Sequence, residues 1–570
     1  MSRSRAPSRP GRRSRRHRAA LAVALVALAV LAALAGCGGG ARGQLANPVD
    51  TLGRNDIAPR PRDQVRDGGD LRLPLQSMPA NFNPDEVDGA TGDGLRLSRA
   101  ILPAPFLGTA DGGLRLGTDL LSSAAVTSTA PQVVTYTINP KATWTDGTPI
   151  TWRDFAAYWH ACGGSDPAFQ TATTTGYQNI RSVTPGVDDR QAVVTFGTPF
   201  AEWKSLFDPF LPSSLTGTPA AFNTAWRTAV PVSAGPFEVS AVDLTNQTVT
   251  LVRNPRWWGT QPKLNRVIFK VYEQSAEPDA LANNELDYYD IGQDVDLLRR
   301  GQVIPGAAVR QAPSRVYWEI TLNGAPGAPL ADPALRRAIA QGIDSRSIAE
   351  RLIGPIVPGA GPDGNHFYVP GTADYRDNSA VLPYDPAAAN RALDALGWTR
   401  NGPTRQRDGR PLTLRMMYAE SPTNLDIVKS VQSQLGQLGV TVAPQAYSGP
   451  DYDRNLTGGN FDLVTFGWQS TPTPLSSSLD VYATVSGNNV RENYGRVSDP
   501  RVDALFATGL AELDDARRAA IGDQLDRLVW AEAHDVPLFA RPGAVVVRAN
   551  LVNFGAFGFA DFDYIDAGFA

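Results

Sequence analysis

The chain has 570 residues, of which 42% are hydrophobic and 8% aromatic, and its formal net charge is −4. A chain of this length exceeds the size at which a single hydrophobic core stops growing, so it predicts a globular protein of two or more lobes. The body is acidic and holds no block rich in lysine and arginine, which excludes a typical nucleic-acid-binding protein.

The first 37 residues have the layout of an export signal. Eight arginines lie between Arg3 and Arg18, an uncharged run of 18 residues follows at 19–36, and Leu34-Ala35-Gly36 precedes Cys37. A basic region, an apolar region and small residues at the cleavage point are typical of secretory signals. The segment resembles a bacterial lipoprotein signal, which implies acylation of Cys37. The run is also near the minimum length for spanning a bilayer, so an uncleaved anchor stays an alternative.

Either alternative places the rest of the chain outside the cytoplasmic membrane. Removal of the eight arginines takes the net charge from −4 to about −12. Cys162 then has no second cysteine to pair with, and we expect it to be a small buried hydrophobic residue. Residues 38–69 are polar and rich in proline, glycine and arginine, which predicts a flexible tether between the signal at 1–37 and the body.

The first half of the body is predicted to be rich in strands. Apolar residues alternate at 71–75, where Pro74 indicates a sheet edge or a strand irregularity, and again at 132–139. Thr151 and Asp154 have the spacing of a capping box and predict a helix whose buried face carries Phe155, Tyr158, Trp159 and Cys162. Further strands are predicted at 191–196, 238–242, 248–252 and 264–272, with a short helix at 202–211.

Strands alternate with helices in the second half, which indicates an α/β lobe. Three helices are predicted to begin in the same way, with an aspartate cap followed by proline in the first turn, at Asp332-Pro333, Asp385-Pro386 and Asp499-Pro500. The other predicted elements are strands at 412–418, 440–446, 461–467 and 544–549 and helices at 424–438 and 517–533.

No motif of an enzyme or a metal site is visible in the sequence. The four histidines are His17, His160, His366 and His534, and none has metal-ligand spacing with another histidine, a cysteine or a carboxylate pair. There is no Gly-x-Ser-x-Gly elbow, no phosphate-binding loop and no dinucleotide fingerprint. Acidic residues are plentiful, so a hidden carboxylate pair stays open. We therefore predict a binder without cofactor or catalytic residue, with its ligand in a cleft between lobes.

Five sequence blocks, in order, are similar to those of one known family. They lie at 136–155, 234–237, 251–259, 323–344 and 384–398, and include the Trp144-Thr145-Asp146-Gly147 turn and an Arg-Asn-Pro-x-x-Trp-Gly core. From about residue 69 to about residue 555, the chain resembles the extracellular solute-binding proteins of peptide and nickel ABC transporters, family 5, in their actinobacterial lipoprotein branch. We assign Trp144, Asp146, Gly147, Trp257 and Trp258 of these blocks to structure rather than to ligand contact.

The resemblance implies a large α/β fold of the periplasmic-binding-protein type, with two lobes, a ligand cleft between them and a discontinuous first lobe. We expect a first lobe at 70–314, a second at 315–537 and a return to the first at 538–570, with crossings around 314–322 and 535–540. The implied function is that of a lipid-anchored monomer that captures oligopeptides or solutes of similar size and delivers them to ABC permease subunits. The alternative is a non-transport lipoprotein on the same fold that regulates cell-envelope glycolipid synthesis.

The resemblance also implies where ligand would bind, with one departure. In peptide-binding relatives a strand ends in tryptophan, and an aspartate three residues later pairs with the peptide ammonium; here Trp468 is followed by Thr471. A buried ammonium without a counter-charge is costly, so either another carboxylate replaces that aspartate or the ligand has no free amine there. The predicted ligand-binding residues are Trp468, Gln469, Ser470, Thr471, Gln76, Ser77, Asn81, Phe82, Tyr317 and Trp318. Core packing is the alternative for Trp468 and Phe82, a plain loop position is the alternative for Thr471, and hinge packing is the alternative for Tyr317 and Trp318.

Overall fold

The computed structural model describes residues 54–487 and 490–570. The predicted signal, Cys37 and residues 38–53 of the predicted tether lie outside the described residues. Residues 54–69 of that tether contact the folded body. Asp56 forms a β-bridge with Ala556, the amide of Arg66 donates to the Phe569 carbonyl at 2.9 Å, and Val65 is buried.

Helices occur along the whole described chain, and most of the long ones lie in its second half. In chain order they are α1 (Gly92–Ile101), α2 (Trp152–Cys162), α3 (Ser213–Thr216), α4 (Pro219–Thr224), α5 (Glu277–Ala282), α6 (Val295–Gln302), α7 (Pro333–Ala340), α8 (Ser345–Leu352), α9 (Pro386–Ala395), α10 (Pro422–Gln437), α11 (Gly449–Gly458), α12 (Pro474–Tyr482), α13 (Pro500–Ala511) and α14 (Asp515–Glu532). Over the described ranges, no helix combines the length and apolar character needed to cross a membrane.

The strands are short and are distributed over several sheets. In chain order they are β1 (Asp70–Leu75), β2 (Phe106–Gly108), β3 (Leu114–Leu116), β4 (Leu121–Thr129), β5 (Gln132–Ile138), β6 (Ile180–Pro185), β7 (Gln191–Phe196), β8 (Phe237–Asp243), β9 (Thr248–Arg253), β10 (Arg266–Val271), β11 (Tyr288–Asp290), β12 (Ala307–Ala312), β13 (Val316–Leu322), β14 (Thr399–Asn401), β15 (Thr404–Arg407), β16 (Arg410–Pro411), β17 (Thr413–Ala419), β18 (Thr441–Tyr447), β19 (Leu463–Gln469), β20 (Asp535–Ala540), β21 (Gly543–Arg548), β22 (Leu551–Val552) and β23 (Gly568–Phe569).

Two four-stranded sheets form the first half of the fold, with strand orders β4-β5-β7-β6 and β1-β10-β9-β8. Among the described strands, β1 pairs with β10 alone, in parallel, so Pro74 lies on an edge strand, where its missing amide interrupts no second ladder. A five-stranded mixed sheet with the order β18-β17-β19-β13-β20 forms the centre of the second half. The smaller sheets are β11-β21-β12, β14-β15-β16, β2-β3 and β22-β23.

Two adjacent connections join the three-stranded sheet β11-β21-β12 to the five-stranded sheet. One runs from β12 to β13 and the other from β20 to β21, and the paired residues Ala312 with Gly543 and Tyr317 with Ala540 hold them side by side. Between these pairs the Arg541 amide donates to the Val316 carbonyl at 2.8 Å. The chain therefore passes twice between the sheets at a single place.

The local signals for helix starts are confirmed by the hydrogen bonds. Thr151 and Asp154 form both bonds of the capping box that opens α2. The side chains of Asp332, Asp385 and Asp499 each accept an amide hydrogen bond from the first turn of the helix that they cap. Each bond satisfies an amide that has no partner inside the helix.

The helix predicted at 202–211 is wrong. The structure has only a single 3₁₀ turn there, at Trp203–Ser205. Asp208 precedes Pro209, and a residue before proline is disfavoured in the helical conformation. Phe207 and Phe210 are fully buried because they pack against other rings of the first half, among them Tyr136 and Phe155, so tertiary packing decides the conformation of this segment.

Two large clusters of buried apolar side chains form the core. One contains side chains of the first half, from Leu71 to Phe269, together with those of the C-terminal segment from Val545 to Phe569. The other is centred on the five-stranded sheet and the helices α7 to α10. Helices α12, α13 and α14 add Leu475, Tyr482, Val502, Phe506 and Leu525 to the first cluster, so they pack across to the first half.

Candidate functional site

A cavity of about 600 Å³ is lined by segments from both halves of the chain. The first half contributes residues 111–114 and 201–204, and the second half contributes 367–374, 470–474 and residues near the start of α14. Arg315, in the connection between β12 and β13, also lines it. The cavity thus lies where the two halves meet, beside one of the two connections.

The wall of this cavity carries charges of both signs. Its acidic and basic side chains are Asp111, Glu202, Lys204, Arg315, Asp374, Asp515 and Arg518. Arg518 is paired with Asp515, with 2.6 Å between Nη2 and Oδ1. Lys204 is exposed and lies over the rings of Phe106 and Trp203. Arg518 is therefore neutralised by a carboxylate, and Lys204 is hydrated.

Glu202 joins the two halves at the edge of the cavity. Its buried carboxylate accepts hydrogen bonds from the amides of Leu475 at 3.3 Å and Ser476 at 2.6 Å, in the first turn of α12. The N-cap residue of that helix, Thr473, makes no capping bond of its own. Burial raises the pKa of Glu202, and the hydrogen bonds from Ser476 and Leu475 oppose that rise. A first-half carboxylate therefore caps a second-half helix.

Arg315 is held in the wall by main-chain oxygens. Its Nη2 donates to the carbonyl of Gly112 at 3.0 Å, its Nε donates to that of Phe559 at 3.3 Å, and its guanidinium lies 5.1 Å from the centre of the Phe559 ring. Burial lowers the pKa of Arg315 to about 10, and Asp561 opposes that fall. Among the described residues, no carboxylate forms an ion pair with Arg315.

Of the predicted ligand-binding residues, Ser470 and Thr471 line the cavity. Ser470 is buried and its hydroxyl donates to the Phe367 carbonyl at 3.1 Å. The Thr471 hydroxyl bonds with those of Thr473 and Ser477, so it organises the turn that leads into α12. Gln469 is exposed at the end of β19.

The predicted aromatic residues lie beside the cavity, on the two faces of the five-stranded sheet. Tyr317 and Trp468 are paired across β13 and β19, and Trp468 stacks on Tyr494 with 6.0 Å between ring centres. The buried Tyr317 hydroxyl donates to the His366 carbonyl at 3.2 Å. Trp318 points to the other face and stacks on Phe539. Tyr317, Trp318 and Trp468 do not line the 600 Å³ cavity.

The predicted ligand-binding residues that follow strand β1 do not line this cavity. The Gln76 amide donates to Asp93 at 2.7 Å, and Ser77 is exposed. Asn81 is fully buried and donates to Glu86 Oε2 at 2.9 Å. Phe82 is a member of the first apolar cluster. Ser470 and Thr471 therefore line the cavity together with Arg315 and Glu202. The four predicted residues after β1 lie elsewhere.

Sequence reasoning missed Arg315, Glu202, Asp374 and most of the other charged wall residues. The cavity is assembled from segments up to about 400 residues apart, and no local pattern links them. One signal was available, because Glu202 is a charge placed directly between the apolar pair Phe200-Ala201 and Trp203. Such a charge needs a partner if the stretch is buried.

A cluster of fully buried ionisable side chains lies behind the cavity wall. The Nδ1 of His366 is 2.7 Å from Asp526 Oδ1, and its Nε2 is 3.3 Å from Asp535 Oδ1. Burial alone would lower the pKa of His366, but Asp535 and Asp526 raise it to about 10. Burial raises the pKa of nearby Glu319, and Asp535 adds to that rise. Within the described part of the chain, no group of histidine, cysteine or acidic side chains is placed to hold a metal ion.

Comparison with known proteins identifies the family. Residues 116–490 match the model of the middle part of the bacterial extracellular solute-binding proteins, family 5. The chain is 43% identical over 519 residues to the oligopeptide-binding protein OppA of Mycobacterium tuberculosis, which covers 90% of this chain and 87% of OppA. It is 26% identical over 444 residues to the probable monoacyl phosphatidylinositol tetramannoside-binding protein LpqW of the same species, covering 70% of this chain and 67% of LpqW.

A solved structure agrees with this assignment. The periplasmic EDTA-binding protein EppA superposes with a TM-score of 0.83 at 25% identity, covering 93% of this chain and 99% of EppA. The predicted α/β fold of the two-lobed periplasmic-binding-protein type is confirmed by this similarity. The chain therefore belongs to the bacterial extracellular solute-binding proteins of family 5.

Proposed function

We propose that this chain is the substrate-binding component of an ABC importer, and that it captures oligopeptides or solutes of similar size. The observation that carries the proposal is the 43% identity to an oligopeptide-binding protein over nearly the whole of both chains. The bound solute would then pass to permease subunits in the membrane, and the lobes would follow the predicted division at 70–314, 315–537 and 538–570.

The cavity supports this proposal by its size and its chemistry. Its volume of about 600 Å³ lies within the range of about 300–1,000 Å³ that is usual for ligand sites. Both halves of the chain supply its wall, so a ligand placed there would be enclosed when the halves close. Charges of both signs suit a zwitterionic ligand such as a peptide.

Asp374 is our candidate for the carboxylate that replaces the missing acid at Thr471. Both residues line the same cavity. Asp374 is exposed, and no described residue forms a hydrogen bond or an ion pair with its carboxylate. It is therefore available to neutralise the ammonium of a bound peptide, a role that the neutral hydroxyl of Thr471 cannot serve.

We also propose that the chain works as a monomer attached to the outer face of the cell membrane by a lipid on Cys37. The support is the sequence of the export signal, in which Leu34-Ala35-Gly36 precedes that cysteine. Labelling of expressing cells with a radioactive fatty acid tests the attachment. Label should appear in the wild-type chain and be absent from the Cys37→Ala variant, and equal labelling of both would refute it.

A second candidate function follows from the 26% identity to a probable glycolipid-binding protein. On that alternative the chain would bind an envelope glycolipid instead of a peptide. Mass spectrometry of the compounds that copurify with the full-length chain separates the two. A mixture of peptides supports the importer, whereas a single glycolipid, together with no binding of a peptide library, would replace it by the second candidate.

A further inference from the structure

Arg315 differs from the other basic residues of the cavity wall. Arg518 is neutralised by Asp515, and Lys204 is exposed to water. Arg315 is half-buried, and all its hydrogen-bond partners are the carbonyl oxygens of Gly112 and Phe559. It therefore brings into the wall a positive charge that no described carboxylate neutralises.

The surroundings of Arg315 fix the orientation of its guanidinium and leave part of it unused. The Gly112 and Phe559 carbonyls engage Nη2 and Nε, and the ring of Phe559 lies against the plane. Among the described residues, none accepts a hydrogen bond from Nη1. A guanidinium held in this way is pre-oriented for a carboxylate, because little side-chain freedom remains to be lost on binding.

The carboxylate of Asp561 does not remove this charge. Asp561 raises the pKa of Arg315, but its carboxylate is already used by the Gly108 amide at 2.7 Å and by Arg99, whose Nε lies 3.6 Å away. Burying a cation without a counter-charge is costly, even where carbonyl oxygens accept its hydrogen bonds. An anion arriving in the cavity would recover that cost.

We propose that Arg315 binds a carboxylate of the ligand and makes the site selective for solutes that carry one. The inference rests on the proposed peptide-binding function and extends it to a named chemical group. In a peptide the carboxylate is supplied either by the C-terminus or by an aspartate or glutamate side chain. Together with Asp374, Arg315 would let the cavity recognise both charges of a zwitterion.

Three pentapeptide libraries test the proposal on the full-length chain purified in detergent. The first has free C-termini and lacks acidic residues, the second is the same library amidated at the C-terminus, and the third is amidated and contains one glutamate. Affinities are measured by isothermal titration calorimetry for the wild type, Arg315→Gln and Arg315→Lys. Arg407→Gln is the matched control, because Arg407 also lies over an aromatic ring and donates to a carbonyl, outside the cavity.

We expect the wild type and Arg407→Gln to bind at least one of the two carboxylate libraries roughly tenfold or more tighter than the fully amidated one. Preference for the first library identifies the C-terminus, and preference for the third identifies a side chain. Arg315→Gln should bind all three libraries equally, at the wild-type affinity for the amidated library. Arg315→Lys should retain part of the preference, because it keeps the charge without the fork of donors.

Two outcomes overturn the inference while peptide binding stands. One is equal binding of all three libraries by the wild type. The other is a wild-type preference that persists in Arg315→Gln, and if the affinity of that variant also falls by the same factor for every library, Arg315 is a structural clamp. If the wild type binds none of the libraries, the proposed function fails and the inference fails with it. Thermal unfolding of each variant shows that it is folded before binding is measured.

Discussion

The cavity wall and the buried cluster around His366 differ in whether their ionisable side chains have a partner of opposite charge. In the cluster, His366 contacts two aspartates, and Asp526 alone accepts bonds from Asn365, Asn378 and the His366 amide. In the wall, Arg315 and Asp374 have no partner of opposite charge among the described residues. Charges that are paired inside a protein support its structure, whereas charges held without a partner at a cavity are available to a ligand.

Removal of Asp526 tests the structural side of this comparison and should have the largest effect. Asp526→Ala removes an acceptor from the buried His366 imidazole and from three amides, those of the His366 main chain and of the Asn365 and Asn378 side chains. We expect the free energy of unfolding to fall by about 3–5 kcal/mol, measured by urea denaturation. Arg527→Ala, at the neighbouring exposed position of α14, is the control and should change stability by less than about 0.5 kcal/mol. Equal effects of the two variants would contradict the comparison.

The pH dependence of stability should report the same cluster. Asp535 and Asp526 raise the pKa of His366 to about 10 in the folded chain, against about 6.5 for a free histidine. Because the folded pKa is the higher one, this contribution is complete below about pH 6.5 and is lost as the pH rises towards 10. Denaturation at several pH values should show that fall in the wild type. His366→Gln should flatten the fall, and an identical slope in the variant would refute the assignment.

Glu202 has a feature of each region. Its buried carboxylate is hydrogen-bonded to helix α12, as in the cluster, but it also lines the cavity. Glu202→Gln removes the charge at the helix N-terminus and should weaken closure by about 1 kcal/mol. A bound peptide should then dissociate roughly fivefold faster, measured by stopped-flow fluorescence. Glu273→Gln, at an exposed position of the first half, should leave the rate unchanged. An unaltered rate in Glu202→Gln would show that this contact does not hold the halves together.

Asp374 is the most exposed of these groups, so its variant should have the smallest effect. Asp374→Asn should weaken binding of peptides with a free amine by roughly two- to fivefold, because a solvated ion pair contributes about 0.5–1 kcal/mol. Binding of N-acetylated peptides should not change. Asp408→Asn, outside the cavity, is the control for the loss of one negative charge. Loss of affinity for both kinds of peptide by the same factor would argue against an ammonium contact.

The predicted elements were accurate where the signal is local. The capping aspartates Asp332, Asp385 and Asp499 bond to amides two or three residues away, so the bond and its cause lie in one short stretch. The helix predicted at 202–211 was wrong because the positions of Phe207 and Phe210 depend on contacts with rings from distant elements. The resemblance placed the turn at Ser470 and Thr471 at the cavity wall, but it could not show which charges face that turn.

The order of the residues was enough to indicate the family and most of the helices and strands, and it predicts an export signal that lies outside the described residues. These features depend on residue order over short distances, through caps, alternation and turn residues. Which charges are neutralised depends instead on the tertiary fold. The Arg315 guanidinium meets a carbonyl 244 residues away, and the Glu202 carboxylate meets an amide 274 residues away. Partners so distant are chosen by the packing of the whole fold, and the chemistry of the cavity is set by what that packing leaves unpaired.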